Sequence, residues 1–170
     1  PPAPPTVPAL LAAALPTDGS ADVVLIDWPA RPGTPHVRAG TVVGATPGAI
    51  KSVLLDATNY RKIVPALLRA DVSRTPAGLA TVGWEVEVPL FNLTGTLVIH
   101  ERPDGAEVDL VDGDFSPGKL IFTAAPRTSG GGSTLIVDAQ LNIQNAGWLI
   151  RRLVKLSPAG EPAALVAASY

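Results

Sequence analysis

From Leu68 to Leu141 apolar and polar side chains alternate in short runs separated by turn residues, a period of two that only β-strands satisfy. Leu68, Ala70 and Val72 face one way and Arg69, Asp71 and Ser73 the other, and Thr75-Pro76-Ala77-Gly78 supplies a turn. Val82, Trp84, Val86 and Val88 then oppose Thr81, Gly83, Glu85 and Glu87. Leu93, Leu97 and Ile99 oppose Thr94, Thr96 and His100 before Arg102-Pro103-Asp104-Gly105 reverses the chain. Val108 and Leu110 oppose Glu107 and Asp109, Leu120 and Phe122 follow, and Ser129 to Ser133 make a glycine-rich hairpin. Leu135, Val137, Ala139 and Leu141 form the last strand. The pattern is an antiparallel meander with one wet and one dry face, and the dry face must be covered.

Two stretches break the alternation with a helical period. In the first, Ile50, Val53, Leu54 and Leu55 predict a short helix over about Pro47 to Leu55, with Thr46 as its cap and Pro47 in the first turn. Thr58 or Asn59 can cap a second short helix through Ile63, which Pro65 stops. Together they make a helical V. The second stretch is Ala146 to Leu156, where Leu149, Ile150, Leu153 and Leu156 form an apolar stripe opposite Arg151, Arg152 and Lys155. Pro158, Gly160 and Pro162 break that helix, and Glu161 to Ala168 can restart it. Ahead of all this, residues 1–20 read as a Pro/Ala-rich linker, and Val23 to Ile26 and His36 to Ala45 read as strands.

Composition narrows the functions open to such a chain. Its 170 residues suit one domain, assigned here to 21–170, and its net charge of −2 without a long basic run lacks the footprint of a nucleic-acid binder. There is no cysteine, which removes disulfides, thiolate nucleophiles and thiolate metal sites and leaves the compartment open. With only two histidines, His36 and His100, and no metal-ligand spacing, no metal or other cofactor is expected. No apolar run reaches the about 18 residues of a membrane span, so the expectation is a soluble domain. The proline at position 1 and the absence of methionine suggest a piece of a longer product.

Particular residues support a resemblance. Val53-Leu54-Leu55-Asp56 with Tyr60 and Val64-Pro65 resembles the L..D…Y..(F/V)(L/V)P segment of the polyketide cyclase/coenzyme-Q-binding family. Leu110-Val111-Asp112-Gly113-Asp114-Phe115 resembles that family's LVDGPF turn, and Lys119 to Pro126 its W.FTPL strand. Asp114 stands where the family often has proline, and Leu120 where it often has tryptophan. The likeness runs from about Thr41 to Leu156. It implies the α+β helix-grip, START-like fold shared with birch pollen allergen: a curved antiparallel sheet of about six to seven strands wrapped around a long carboxyl-terminal helix, with two short helices after the first strand.

The resemblance further implies an apolar tunnel between sheet and helix. Residues expected to wall it are Tyr60, Val64, Leu68, Trp84, Val86, Val88, Leu97, Ile99, Leu110, Phe115, Phe122, Val137, Leu141, Trp148 and Leu153. Aromatic residues are only 5% of the chain, so these walls are mostly Val, Leu and Ala, side chains too small to fill a deep concave surface. For any single one of them ordinary core packing is the plainer account. Tyr60 either offers its hydroxyl to a ligand or anchors the V, and Trp84 and Trp148 either stack on a flat ligand or fill space. The leading reading is a carrier of an apolar small molecule: a lipid, isoprenoid quinone, sterol-like or polyketide compound. Its rivals are a polyketide cyclase/aromatase, which needs an inward ionisable group such as Tyr60 or Arg127, and a protein-interaction module without a cavity. Catalytic residues are not assigned. Arg151, Arg152 and Lys155 read as a solvated helix face that can also touch an anionic membrane transiently. The acidic residues Asp104, Glu107, Asp109, Asp112 and Asp114 lack calcium-loop spacing, and oligomeric state is left open.

Overall fold

The computed structural model describes residues 24–27, 36–88, 91–128 and 130–146. Eight strands form one antiparallel sheet: β1 (Val24–Asp27), β2 (His36–Val43), β3 (Leu67–Arg74), β4 (Ala80–Val88), β5 (Phe91–Arg102), β6 (Gly105–Gly113), β7 (Phe115–Pro126) and β8 (Ser133–Asn142). Their order is β1-β2-β8-β7-β6-β5-β4-β3, so every neighbour from β3 to β8 is joined by a hairpin, while β2 pairs with the last strand. β1 falls on the Val23 to Ile26 run read as a strand, and with it as an edge beside β2 the sheet counts eight strands where the resemblance implied about six to seven.

Between β2 and β3, at opposite sides of the sheet, run the two short helices, α1 (Pro47–Leu55) and α2 (Tyr60–Ile63). Thr46 caps α1 as expected, its hydroxyl accepting from the Ala49 N–H at 3.2 Å. The cap of the second piece differs from expectation. Neither Thr58 nor Asn59 caps α2; instead Asp56 accepts from the Thr58 N–H and from the Thr58 and Asn59 side chains, closing a 3-10 turn over Ala57–Asn59 that leads into α2. A carboxylate with several acceptor sites gathers these donors better than a hydroxyl or amide does. α2 ends at Ile63, before Pro65. The V packs α1 against β6 and β7 and α2 against β3, so it lies across the dry face.

One register reading is corrected. Leu67 pairs with Val86 but Arg69 pairs with Glu85, so two residues of β3 oppose one of β4 and the phase of the strand shifts at Leu68. Leu67 is therefore the buried residue, at 9% exposure, and Leu68 turns out to 40%. A second shift lies between Thr96 and Leu97, where β6 carries Val111 as an extra, exposed residue. Bulges of this kind bend strands and increase twist, which is how a sheet of this width curves. The outer face is not wet throughout, because Val42, Thr134, Ile136 and Ala125 are buried where β2, β8 and β7 adjoin.

The linker assigned to 1–20 and, from Gly147 onward, the helix expected from the sequence, including Trp148, Arg151, Arg152, Leu153 and Lys155, lie outside the described residues. Among the described residues no helix is long and apolar enough to cross a membrane.

Candidate functional site

The dry face carries two contiguous apolar clusters. The first joins Leu67, Trp84, Leu93, Leu110, Ala139 and Leu141, with Tyr60, Val64, Val86, Val88, Leu97, Phe115 and Leu120 packed against it. The second joins Ala57, Val82, Ile99, Ala106 and Val108, flanked by Leu54, Leu55, Tyr60, Leu97, Leu120 and Phe122. Eleven side chains expected as walls are thus brought onto one surface: Tyr60, Val64, Trp84, Val86, Val88, Leu97, Ile99, Leu110, Phe115, Phe122 and Leu141. Val137 stands half-buried in β8 between Ala39 and Phe122. Leu68 leaves the set for the reason given above, and Trp148 and Leu153 lie outside the described residues. Leu67, Leu93 and Ala139 belong to the same surface; alternation alone marks Leu93 and Ala139, whereas Leu67 needs the bulge.

At the centre of the first cluster Trp84 pairs directly with Gly95 on β5. A Cβ at Gly95 would come within 2.7 Å of Trp84 Cζ2 and 2.9 Å of Cε2, so the missing side chain is what lets the indole lie down on the sheet. The indole Nε1 is buried and has no hydrogen-bond partner among the described residues. Tyr60 is differently placed. Its hydroxyl donates to the Leu54 carbonyl, tying α2 to α1, and burial pushes its pKa up to about 12. Of the two roles open to it in the sequence, the geometry favours the anchor.

The turn from β6 into β7 is held by its own acid. The Asp114 carboxylate accepts from the Thr94 N–H at 2.9 Å while its own N–H donates to the Thr94 carbonyl at 2.8 Å. That double clasp accounts for an aspartate where the resembling motif has proline. Beside it Gly113 (φ 84°) and Phe115 (φ 67°) occupy the left-handed region, and Phe115 reaches the first cluster. An open groove of about 520 Å³ lies next to this turn, lined by Leu110, Val111, Pro117, Gly118 and the polar Asp109, Lys119 and Gln140. Only Leu110 is shared with the expected walls.

Charge is arranged on the outer face. Lys119 on β7 reaches both Glu107 and Asp109 on β6, His100 Nε2 lies 3.0 Å from Asp109, and Arg102 spans Asp104 and Glu107. Lys119 holds the Glu107 carboxyl below its usual range, chiefly through their hydrogen bond. Arg38 and Asp138 pair at 2.6 Å further along. Glu107 and Asp109, on the polar side of β6, are thus paired across strands, and among the described residues no three His, Cys, Asp or Glu side chains gather to hold a metal.

Neither a family profile nor a curated protein matches the chain. Solved structures do resemble it. The di-domain ARO/CYC StfQ from the steffimycin biosynthetic pathway aligns over 65% of this chain at 14% identity and a TM-score of 0.57, the match spanning 37% of that longer chain. A START superfamily protein from Mycobacterium smegmatis aligns over 78% of this chain and 92% of its own at 20% identity and a TM-score of 0.56. The STAR-related lipid transfer protein from Xanthomonas axonopodis aligns over 71% and 75% at 15% identity and a TM-score of 0.52. At such identities the likeness defines architecture: the chain has the START-like, helix-grip α+β fold.

Proposed function

We propose that the protein binds and carries an apolar small molecule of lipid, isoprenoid quinone, sterol-like or polyketide type against the dry face of its sheet. The observation that carries this reading is the state of that face. Two apolar clusters adjoin, yet Val86, Val88, Leu97, Leu120 and Phe122 between and around them remain half-buried, so apolar surface is held ready without being sealed. Covering it with a ligand contributes about 25 cal/mol for each Å² removed from water. A neighbour in fold is named as a lipid transfer protein, which supports the same reading.

The cyclase alternative needs an inward acid or base. Tyr60 has its hydroxyl committed to Leu54, and Arg127 lies at the β7–β8 hairpin beside Gly130, so neither candidate supplies one. The test is native mass spectrometry of freshly purified protein, together with titration of a hydrophobic fluorophore displaced by long-chain quinones and fatty acids. Saturable, displaceable binding is expected. Its absence across both classes, in folded protein, would sink the carrier reading and favour an interaction module.

A further inference from the structure

Four buried side-chain polar atoms lack a hydrogen-bond partner among the described residues: Thr81 Oγ1, Trp84 Nε1, Arg102 Nε and Asp104 Oδ1. Arg102 Nε and Asp104 Oδ1 face each other as an ion pair at 3.4 Å. Thr81 alternates with Val82 and so belongs to the outer face. Among the described residues the Trp84 N–H is then the one unpartnered buried donor on the dry face, in a residue only 8% exposed.

Its position is fixed. The Cε2 that bears Nε1 rests where Gly95 lacks a Cβ, and the β4–β5 register holds Trp84 opposite Gly95. The buried side chains clustered with Trp84, those of Leu67, Leu93, Leu110, Ala139 and Leu141, offer no acceptor. Buried polar groups are ordinarily paired, so a lone donor in such a setting points to a partner from elsewhere. Water suits the place poorly, because a buried water needs two to four polar partners. A carbonyl oxygen needs only one.

We infer that Trp84 is the orienting donor of the binding surface and that the ligand therefore carries a carbonyl oxygen, of ketone, quinone or ester type, on its apolar body. This rests on the binding reading above and narrows it: a pure hydrocarbon binds, but a carbonyl compound of the same shape binds better and in one orientation. Tyr60 does not share the task, since its hydroxyl is occupied.

The experiment compares a naphthyl methyl ketone with the corresponding ethylnaphthalene, observed by ¹H–¹⁵N spectra of the indole N–H groups in full-length protein. Trp28, Trp84 and Trp148 give three indole signals. Trp84→Phe assigns the relevant one, or, where that variant fails to fold, Trp28→Phe and Trp148→Phe assign it by elimination. Both probes are expected to bind, with the ketone alone moving the Trp84 proton downfield. In folded Trp84→Phe the ketone should lose roughly three- to tenfold in affinity, the scale of one neutral hydrogen bond, while the hydrocarbon changes little. If both probes bind and shift Trp84 alike, or Trp84→Phe weakens both equally, the donor role is overturned and the binding reading stands. If neither probe binds, the binding reading fails and the inference falls with it.

Discussion

Replacing Gly95 with alanine tests the architecture at its tightest point. An alanine Cβ there would stand 2.6 Å from the Asp112 carbonyl oxygen, 2.7 Å from Trp84 Cζ2 and 2.9 Å from Cε2. The carbonyl belongs to β6 and cannot swing aside, so either the indole lifts or the β5–β6 ladder parts. Forcing a methyl group into packed surroundings costs about 1–3 kcal/mol, and restricting the unfolded chain returns about 0.4–1 kcal/mol. The net loss is about 1–2 kcal/mol. In a chain of this size each kcal/mol lowers Tm by about 2–4 °C, so Gly95→Ala should melt about 2–8 °C lower with altered near-ultraviolet indole dichroism. Gly83→Ala is the matched control. Its Cβ would meet nothing nearer than Asp71 Cβ at 3.9 Å, so that substitution should leave Tm unchanged or raise it. Equal melting of the two variants, with the indole bands of Gly95→Ala intact, would refute the claim that Trp84 lies upon Gly95.

Three further outcomes follow from the same geometry. Leu67→Ala should cost about 2–5 kcal/mol in urea unfolding while Leu68→Ala stays within about 0.5 kcal/mol; the reverse order would restore uninterrupted alternation along β3. Tyr60→Phe should lose about 0.5–1.5 kcal/mol with the hydrogen bond to Leu54, and an unchanged urea midpoint would remove the anchor. The Thr58 hydroxyl first, then the Asn59 amide, the Thr58 N–H and the Lys62 charge hold the Asp56 carboxyl below its ordinary 3.8. Because the folded pKa is the lower one, the carboxylate contributes stability above that value and loses it as pH falls further. Asp56→Asn should therefore show a shallower stability loss on acidification below 3.8 than the parent, and parallel acid curves would remove the cap from the account.

Much of this was legible in the residues, and the misses share a cause. Proline and threonine at 46–47 announce the start of α1 locally, and alternation places Trp84, Val86, Ile99 and Leu110 on one face. Leu67 and Leu68 are chemically identical, so nothing local says which one turns inward; the Val86 and Glu85 pairing across the ladder decides it. Asp56, Thr58 and Asn59 are all capping residues, and only the backbone path selects the first. Glu107 and Asp109 were readable as an outer face, whereas Lys119 standing between them depends on the β6–β7 register. That the Trp84 N–H lacks a partner among the described residues depends on what β3, β5, β6 and β8 place beside it, which no single stretch of sequence encodes.

These two faces divide the labour. Exposed ion pairs are each worth about 0–1 kcal/mol, so the outer lattice of Lys119, Glu107, Asp109 and Arg102 contributes little to stability. Its consequence is positional, because it collects charge on one side of strands whose other side packs as Val, Leu, Ile and Trp. The charged side chains that fall on the inner register, Glu101 and Arg74, stand at strand ends, Glu101 paired with Lys51 of α1 at 2.7 Å. If the dry face binds a ligand as proposed, its selectivity would follow from area and shape, not from charge. Each buried methylene adds about 0.8 kcal/mol, close to fourfold in affinity, whereas a single indole N–H contributes about one such step and fixes direction instead. On the carrier proposal, a surface built this way would rank ligands by how much apolar area they hide, and Trp84 would choose which end goes in.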